Sequence, residues 1–188
     1  MATITTIQTK ADILATLALQ QENLRRNVPA DEQISDGFVT VEHQFDTLLR
    51  MNNSARTIIA KDSNGQLVGY ALTMLPEFEP LVPELAPLFS CIKKLEYNGK
   101  PLQDYVYYVL GQVCVKKHYR RQKIFQQMLL KHREIYSQHY QMIMTSISSK
   151  NQSSLRAHIS IGFEIIHSFH DSVIGETWHV VLWDWNKC

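Results

Sequence analysis

The stretch Val109-Leu-Gly-Gln-Val-Cys-Val-Lys-Lys-His-Tyr-Arg-Arg-Gln-Lys-Ile-Phe-Gln-Gln-Met-Leu-Leu130 decides the fold. Its first seven residues, Val109 to Val115, are an apolar run of strand character. A basic turn follows, Lys116 to Lys123. An amphipathic helix then starts at Arg121 or Gln122 and reaches about Gln138, with Ile124, Met128, Leu129 and Ile135 on its inner face. A strand, a basic turn and a helix N-terminus in this order make an anion site. Unpaired amides and the positive end of the helix dipole converge there, and Arg120, Arg121 and Lys123 stand beside it. A phosphorylated ligand is the natural occupant.

Working outward, the central strand extends back to Tyr105, and Gly111 within it marks a bulge or a close backbone approach. Downstream, Met142 to Ser148 reads as a strand, so the unit is β-α-β and its two strands are parallel. Asn151 to Ile161 reads as a helix stopped by Gly162 at the C′ position. Phe163 to Phe169 and Trp178 to Trp185 are antiparallel strands joined by turn residues between Asp171 and Gly175. Upstream, Ser63-Asn-Gly65 is a hairpin turn between the strands Arg56–Lys61 and Leu67–Leu75. Residues 10 to 27 place Ile13, Leu14, Leu17, Leu19 and Leu24 at helical spacing. Pro29 to Gly37 reads as a loop, Phe38 to Val41 as extended, and Thr40 as the cap of a second helix running to about Met51, with Phe45, Leu48 and Leu49 inward. Four prolines between Pro76 and Pro87 exclude a regular helix until about Glu84 to Ile92. Asn98 to Pro101 is a turn. The expected fold is α/β (mixed α+β): one mixed, mostly antiparallel sheet flanked by helices, in a single domain over 1–188.

The composition narrows the function. Of 188 residues, 45% are apolar and 20% charged, and the formal net charge is +1. That balance argues against a general nucleic-acid or membrane binder, so the basic turn is a local feature. No run of 18 apolar residues is present. The first ten residues lack the basic and apolar regions of a secretory signal, and a cytoplasmic protein is expected. Cys91, Cys114 and Cys188 are odd in number and widely spaced, which reads as reduced thiols and not as a disulfide framework or a zinc site.

Two stretches together resemble the GNAT superfamily of N-acetyltransferases, over roughly residues 38 to 185. The first is Tyr119-Arg-Arg-Gln-Lys-Ile-Phe125, similar to the family's phosphate-cradling Gln/Arg-x-x-Gly-x-Gly/Ala run. The second is Asn151-Gln-Ser-Ser-Leu-Arg-Ala-His-Ile-Ser-Ile-Gly-Phe163, similar to its Asn-x-x-Ala/Ser, then an aromatic, then Gly-Phe. Lys123 and Phe125 stand where the family has small residues, and His158 stands where it often has Tyr. The resemblance implies a splayed pair of central strands. It also implies acetyl-CoA as co-substrate, no metal, and direct attack by an amine of a small molecule or peptide, in a monomer or homodimer. The pyrophosphate falls to Arg120, Arg121, Gln122, Lys123, Ile124 and Phe125. The pantetheine falls to Val113, Cys114 and Val115, with Asn151 and Ser154 beside it, and a backbone amide near Val113 or Cys114 faces the thioester oxygen.

His158 is the candidate catalytic residue. As imidazolium it protonates the departing sulfur, and as neutral imidazole it orders a water. The alternative is a helix residue hydrogen-bonded near Asn151 that does no chemistry. Asn151 likewise binds pantetheine, caps its helix, or does both. The general base is not singled out: Glu77, Glu79, Glu96, Asp104 and His43 are each as readily solvated side chains. Cys114 reads as a core thiol, and Trp178, Trp183 and Trp185 as packing residues. A non-catalytic acyl-CoA-binding module is the competing expectation. The acceptor pocket is expected from residues 29–45 and 76–105.

Overall fold

The central strand expected around Gly111 forms, and everything else is arranged about it. The computed structural model describes residues 2–187. In chain order the elements are β1 (Thr3–Thr6), α1 (Lys10–Asn23), α2 (Ala30–Asp36), α3 (Phe45–Ser54), β2 (Ile58–Lys61), β3 (Leu67–Met74), α4 (Ala86–Ile92), the two-residue strands β4 (Glu96–Tyr97) and β5 (Lys100–Pro101), β6 (Tyr107–Val115), α5 (Ile124–Tyr136), β7 (Met142–Ser148), α6 (Gln152–Ile159), β8 (Glu164–Asp171) and β9 (Glu176–Asp184). Short 3₁₀ turns fill 25–27, 76–81, 83–85, 102–104, 117–119 and 185–187.

Seven strands form one sheet in the order β1-β2-β3-β6-β7-β9-β8. Every pairing is antiparallel except β6 with β7, which the intervening α5 forces to be parallel. The sheet is covered on both faces, which explains the unbroken apolar runs. In β7 and β9, Met142, Met144, Val180 and Leu182 pack under α1, α3 and α4. Their neighbours Ile143, Ile147, Val181 and Trp183 pack under α5 and α6. Trp183 and Trp185 are core residues, as their alternation implied.

Several expectations are corrected. Residues 29–37 hold a short helix, α2, not a loop. The second long helix starts after Gln44 and not at Thr40. The first helix stops at Asn23, and Leu14 points to solvent while Asp12, Thr16, Gln20 and Asn23 are buried. Its start is fixed by a capping box, with Thr9 Oγ1 accepting from Asp12 N and the Asp12 carboxylate accepting from Thr9 N. The inner face of α5 carries His132 and Tyr136 in addition to Ile124, Met128 and Leu129, and Ile135 is only partly covered. His132 is acceptable in the core because both ring nitrogens are used, by Tyr108 Oη at 2.8 Å and by the Ala71 carbonyl at 3.1 Å. β1 has no counterpart in the sequence reading. It adds an outer strand of mainly threonines to β2. Cys91 and Cys114 are free thiols, and Cys188 lies outside the described residues.

Two irregularities of β6 create the site. Between Ala71 and Thr73 of β3, β6 spends one extra residue, so Gly111 and Gln112 oppose Leu72. This bulge re-phases the strand. Tyr108 and Leu110 face α5, whereas Gln112 and Cys114 face the opposite side. The second irregularity is the short parallel ladder, which holds only Tyr107–Met142, Tyr108–Ile143 and Val109–Met144. Beyond it β6 pairs with β3 alone and β7 with β9 alone. The two central strands splay apart, as the family resemblance implied.

Candidate active site

At the end of β6 the chain makes a 3₁₀ turn at Lys117–Tyr119 and then a tight loop into α5. Arg121 and Lys123 both have φ of +61°, a left-handed conformation that costs a residue with a Cβ on the order of 1–3 kcal/mol. Two such residues in three would be selected against in a plain connection. Their effect is to turn successive amides to one side, making an anion-binding nest. The amides of Lys123, Ile124, Phe125 and Gln126 donate to no group among the described residues, and the first intrahelical bond of α5 is Gln127 N to Lys123 O. Lys123 thus adopts the geometry that a glycine would take there.

The cations of this loop divide into two kinds. Arg120 is committed to the protein: Nε donates to the Val115 carbonyl at 3.0 Å, Nη2 to Asn23 Oδ1 at 2.7 Å, and Nη1 lies 3.5 Å from Asp36. Arg121 and Lys123 make no contact of this kind among the described residues and line a cavity of about 410 Å³ with Val113, Cys114, Ile124 and Phe125. Gln122 turns away from that cavity and donates to the His118 carbonyl.

The cavity continues along the open edge of β6. Lys116 N donates to Val68 O, so strand alternation turns the Cys114 amide toward β3 and the amides of Val113 and Val115 toward the gap. Val113 is therefore the residue whose amide can face a ligand carbonyl, and Cys114 is not. The Cys114 thiol is pushed up to about 12 by burial, which makes it inert as a nucleophile.

A second cavity, about 570 Å³, shares Phe38, Val39, Val113, Asn151 and Ser154 with the first. It passes through the gap, since His158 of α6 lines it from one face of the sheet and Phe169 and Trp178 from the other. A strap of residues 37–41 crosses this opening. It is fixed to α1 by reciprocal bonds, Arg25 N to Val39 O and Val39 N to Asn23 O, both at 2.9 Å. Gln112 Nε2 holds the Val41 carbonyl at 2.8 Å, and Asn151 Nδ2 holds that of Phe38 at 3.0 Å. Asn151 Oδ1 meanwhile caps α6 through Ser154 N. Gly37, at φ +78°, lies so close that an added Cβ would sit 2.7 Å from Asn151 Oδ1. Asn151 thus caps its helix, as one of the two readings had it, lines both cavities and anchors the strap.

His158 is held between Phe125 and Phe163, with ring centroids 4.9 Å from each. Its Nδ1 lies 2.8 Å from the Ser154 carbonyl, so Nδ1 carries the proton and Nε2 is the lone-pair nitrogen. Nε2 is buried without a partner. Burial pushes the ring down to about 4, so it is neutral near pH 7. Of the two forms considered, the geometry favours the neutral imidazole over the imidazolium. The two unusual residues, Phe125 and His158, touch each other: Phe125, in the first turn of α5, packs against the imidazole ring.

Glu77, Glu79, Glu96, Asp104 and His43 line neither cavity. The sequence reading missed Gln112, Trp178, and the buried Glu176, which binds Arg25 at 2.7 Å and the Ser148 hydroxyl. Gln112 had a signal, as the one polar side chain between Val109 and Val115. Trp178 was read as packing and instead lines the larger cavity, and Glu176 depends on partners 28 and 151 residues away and had no signal.

No protein-family model matches the sequence, and no curated protein matches it. Solved structures do. The ribosomal-protein-S18-alanine N-acetyltransferase of Escherichia coli is 15% identical, with TM-score 0.60 over 98% of this chain and 94% of its own. The NatC complex bound to Gag peptide and CoA matches at 11% identity and TM-score 0.66, over 97% and 98%. A GNAT-family acetyltransferase of Streptococcus pneumoniae matches at 13% and 0.61, over 97% and 98%. At these identities the likeness is one of architecture: the chain has the GNAT acetyltransferase fold.

Proposed function

We propose that the protein is an acetyl-CoA-dependent N-acetyltransferase acting on a primary amine in a ternary complex. The observation that carries this reading is the groove between β6 and β7, closed at one end by the left-handed loop 121–123 with its unpaired amides. The loop suits a pyrophosphate, and the open edge of β6 suits the amide-bearing pantetheine arm, which pairs as a short extra strand. Arg121 and Lys123 add charge-assisted contacts. The Val113 amide stabilises the oxyanion as the amine nitrogen bonds to the acetyl carbon and the carbon–sulfur bond breaks. His158 Nε2, a neutral acceptor at the gap, orders a water that takes the proton the amine sheds and hands one to the departing CoA thiolate. The similarly folded NatC complex is bound to a Gag peptide and CoA, which supports an amine-bearing acceptor beside a CoA-type co-substrate.

Isothermal titration with acetyl-CoA followed by thiol-release assays over an amine panel tests the reading. Saturable binding that Lys123→Glu weakens, together with turnover of at least one amine, supports it. Binding without turnover of any amine points to an acyl-CoA-binding module, and absence of binding removes the proposal.

A further inference from the structure

The acceptor end of the larger cavity has a charge pattern that selects among amines. Its walls are mainly apolar: Leu24, Phe38, Val41, Leu88, Phe169 and Trp178. Two cations reach it, and both are in ion pairs. Arg25 is 2.7 Å from Glu176, whose side chain is 2% exposed and which Lys150 approaches to 3.6 Å. Arg26 is 2.6 Å from Glu42. Two carboxylates also reach it, Glu84 and Asp171. Asp171 accepts from the amides of Val173 and Ile174 in the β8–β9 turn, and among the described residues neither carboxylate is in an ion pair.

A ligand carboxylate entering this cavity would lose water and find no uncommitted cation to replace it. An ammonium would meet two carboxylates that are in no ion pair among the described residues, and the reaction then removes its charge. The apolar walls, Trp178 among them, offer area to a bulky body. We infer that the acceptor is a primary amine with a bulky apolar body and no anionic group, an amino-acid amide and not a free amino acid. This inference rests on the acetyltransferase reading and specifies its acceptor.

The full chain is tested with L-phenylalaninamide, L-phenylalanine and glycinamide. Thiol release should give phenylalaninamide a kcat/KM at least tenfold above both others. Glu84→Lys, at an exposed position, should narrow the phenylalaninamide-to-phenylalanine ratio severalfold, and more at low salt. In parallel, amine binding to the CoA-saturated and CoA-free protein is followed by tryptophan fluorescence and calorimetry. Preference for phenylalaninamide over phenylalanine in binding supports the inference even if turnover is slow. Equal or tighter binding of phenylalanine or glycinamide overturns it. Failure of acetyl-CoA to bind overturns the acetyltransferase reading instead, and the amine titration still reports on the cavity.

Discussion

The two ends of the groove are built by different means. The loop end centres on one contiguous stretch, residues 113–126, several of whose backbone amides face the cavity, and residues 36–39 and α6 complete its walls. The acceptor end is assembled from the turn after α1, the strap, the segment before α4, α6 and the β8–β9 hairpin, and works through side chains. A site made of backbone depends on local conformation, which a short run of sequence specifies. A site made of distant side chains depends on packing, which it does not. The loop end therefore tolerates unusual side chains: Lys123 and Phe125 stand in it while the amides keep their direction. At the acceptor end each substitution changes the walls directly.

Acid should act on the packed side chains far more than on the loop. His43 and His158 are held down to about 4 and His132 to about 3, all by burial. None lies in the loop. In the unfolded chain each takes a proton near pH 6.5, whereas the folded form resists it. Their stabilising contribution is thus complete above about pH 6.5 and is lost as pH falls toward 4, by on the order of 3 kcal/mol each. Urea midpoints from pH 8 to pH 4 should fall steeply below 6.5, and His158→Phe should flatten the fall. A midpoint independent of pH over this range would contradict the neutral burial of these rings.

Catalysis distinguishes the two ends next. His158→Ala should lower kcat about 100-fold, the scale of a positioned proton-transfer group, while acetyl-CoA affinity changes little. His158→Tyr should restore part of the rate. A wild-type kcat in the alanine variant would leave His158 as a packing residue between two phenylalanines. At the loop, Lys123→Glu should weaken acetyl-CoA about tenfold without affecting the fold, since the side chain projects into the cavity and holds nothing else. Unchanged affinity by calorimetry would take Lys123 out of the site. The smallest effect concerns strain. Lys123→Gly relieves a left-handed residue and should stabilise the protein by up to about 1 kcal/mol in urea denaturation, where Lys123→Ala should not.

How much the sequence disclosed follows the same division. β7 was legible to the residue, and β6 and α5 nearly so, because both faces of the sheet are covered and apolar runs mark the strands. The loop was legible as a basic strand-to-helix turn, although its left-handed residues were not, since lysine and arginine give no conformational warning. Asp12, Thr16, Gln20 and Asn23 of α1 concealed its buried face, because each is satisfied by a partner rather than by apolar contact, as Gln20 is by the backbone of His43. α2 was hidden because its proline precedes the helix, where proline is compatible with helix initiation. Asn151 was found and its hold on Phe38, 113 residues away, was not. The charge pattern of the acceptor cavity exists only after five segments have met.

The splay also gives this sheet inner rims. An ordinary open sheet has two borders, and proteins shield them because unpaired strand backbone recruits other strands. Here residues 110–115 and 145–148 present two more such borders in the middle of the molecule. The strap lies over them, held by glutamine and asparagine side chains that use up its carbonyls without forming a ladder. A strap over those borders should also limit self-association, so a side chain at Gly37 should raise aggregation, read by light scattering, before it lowers the urea midpoint.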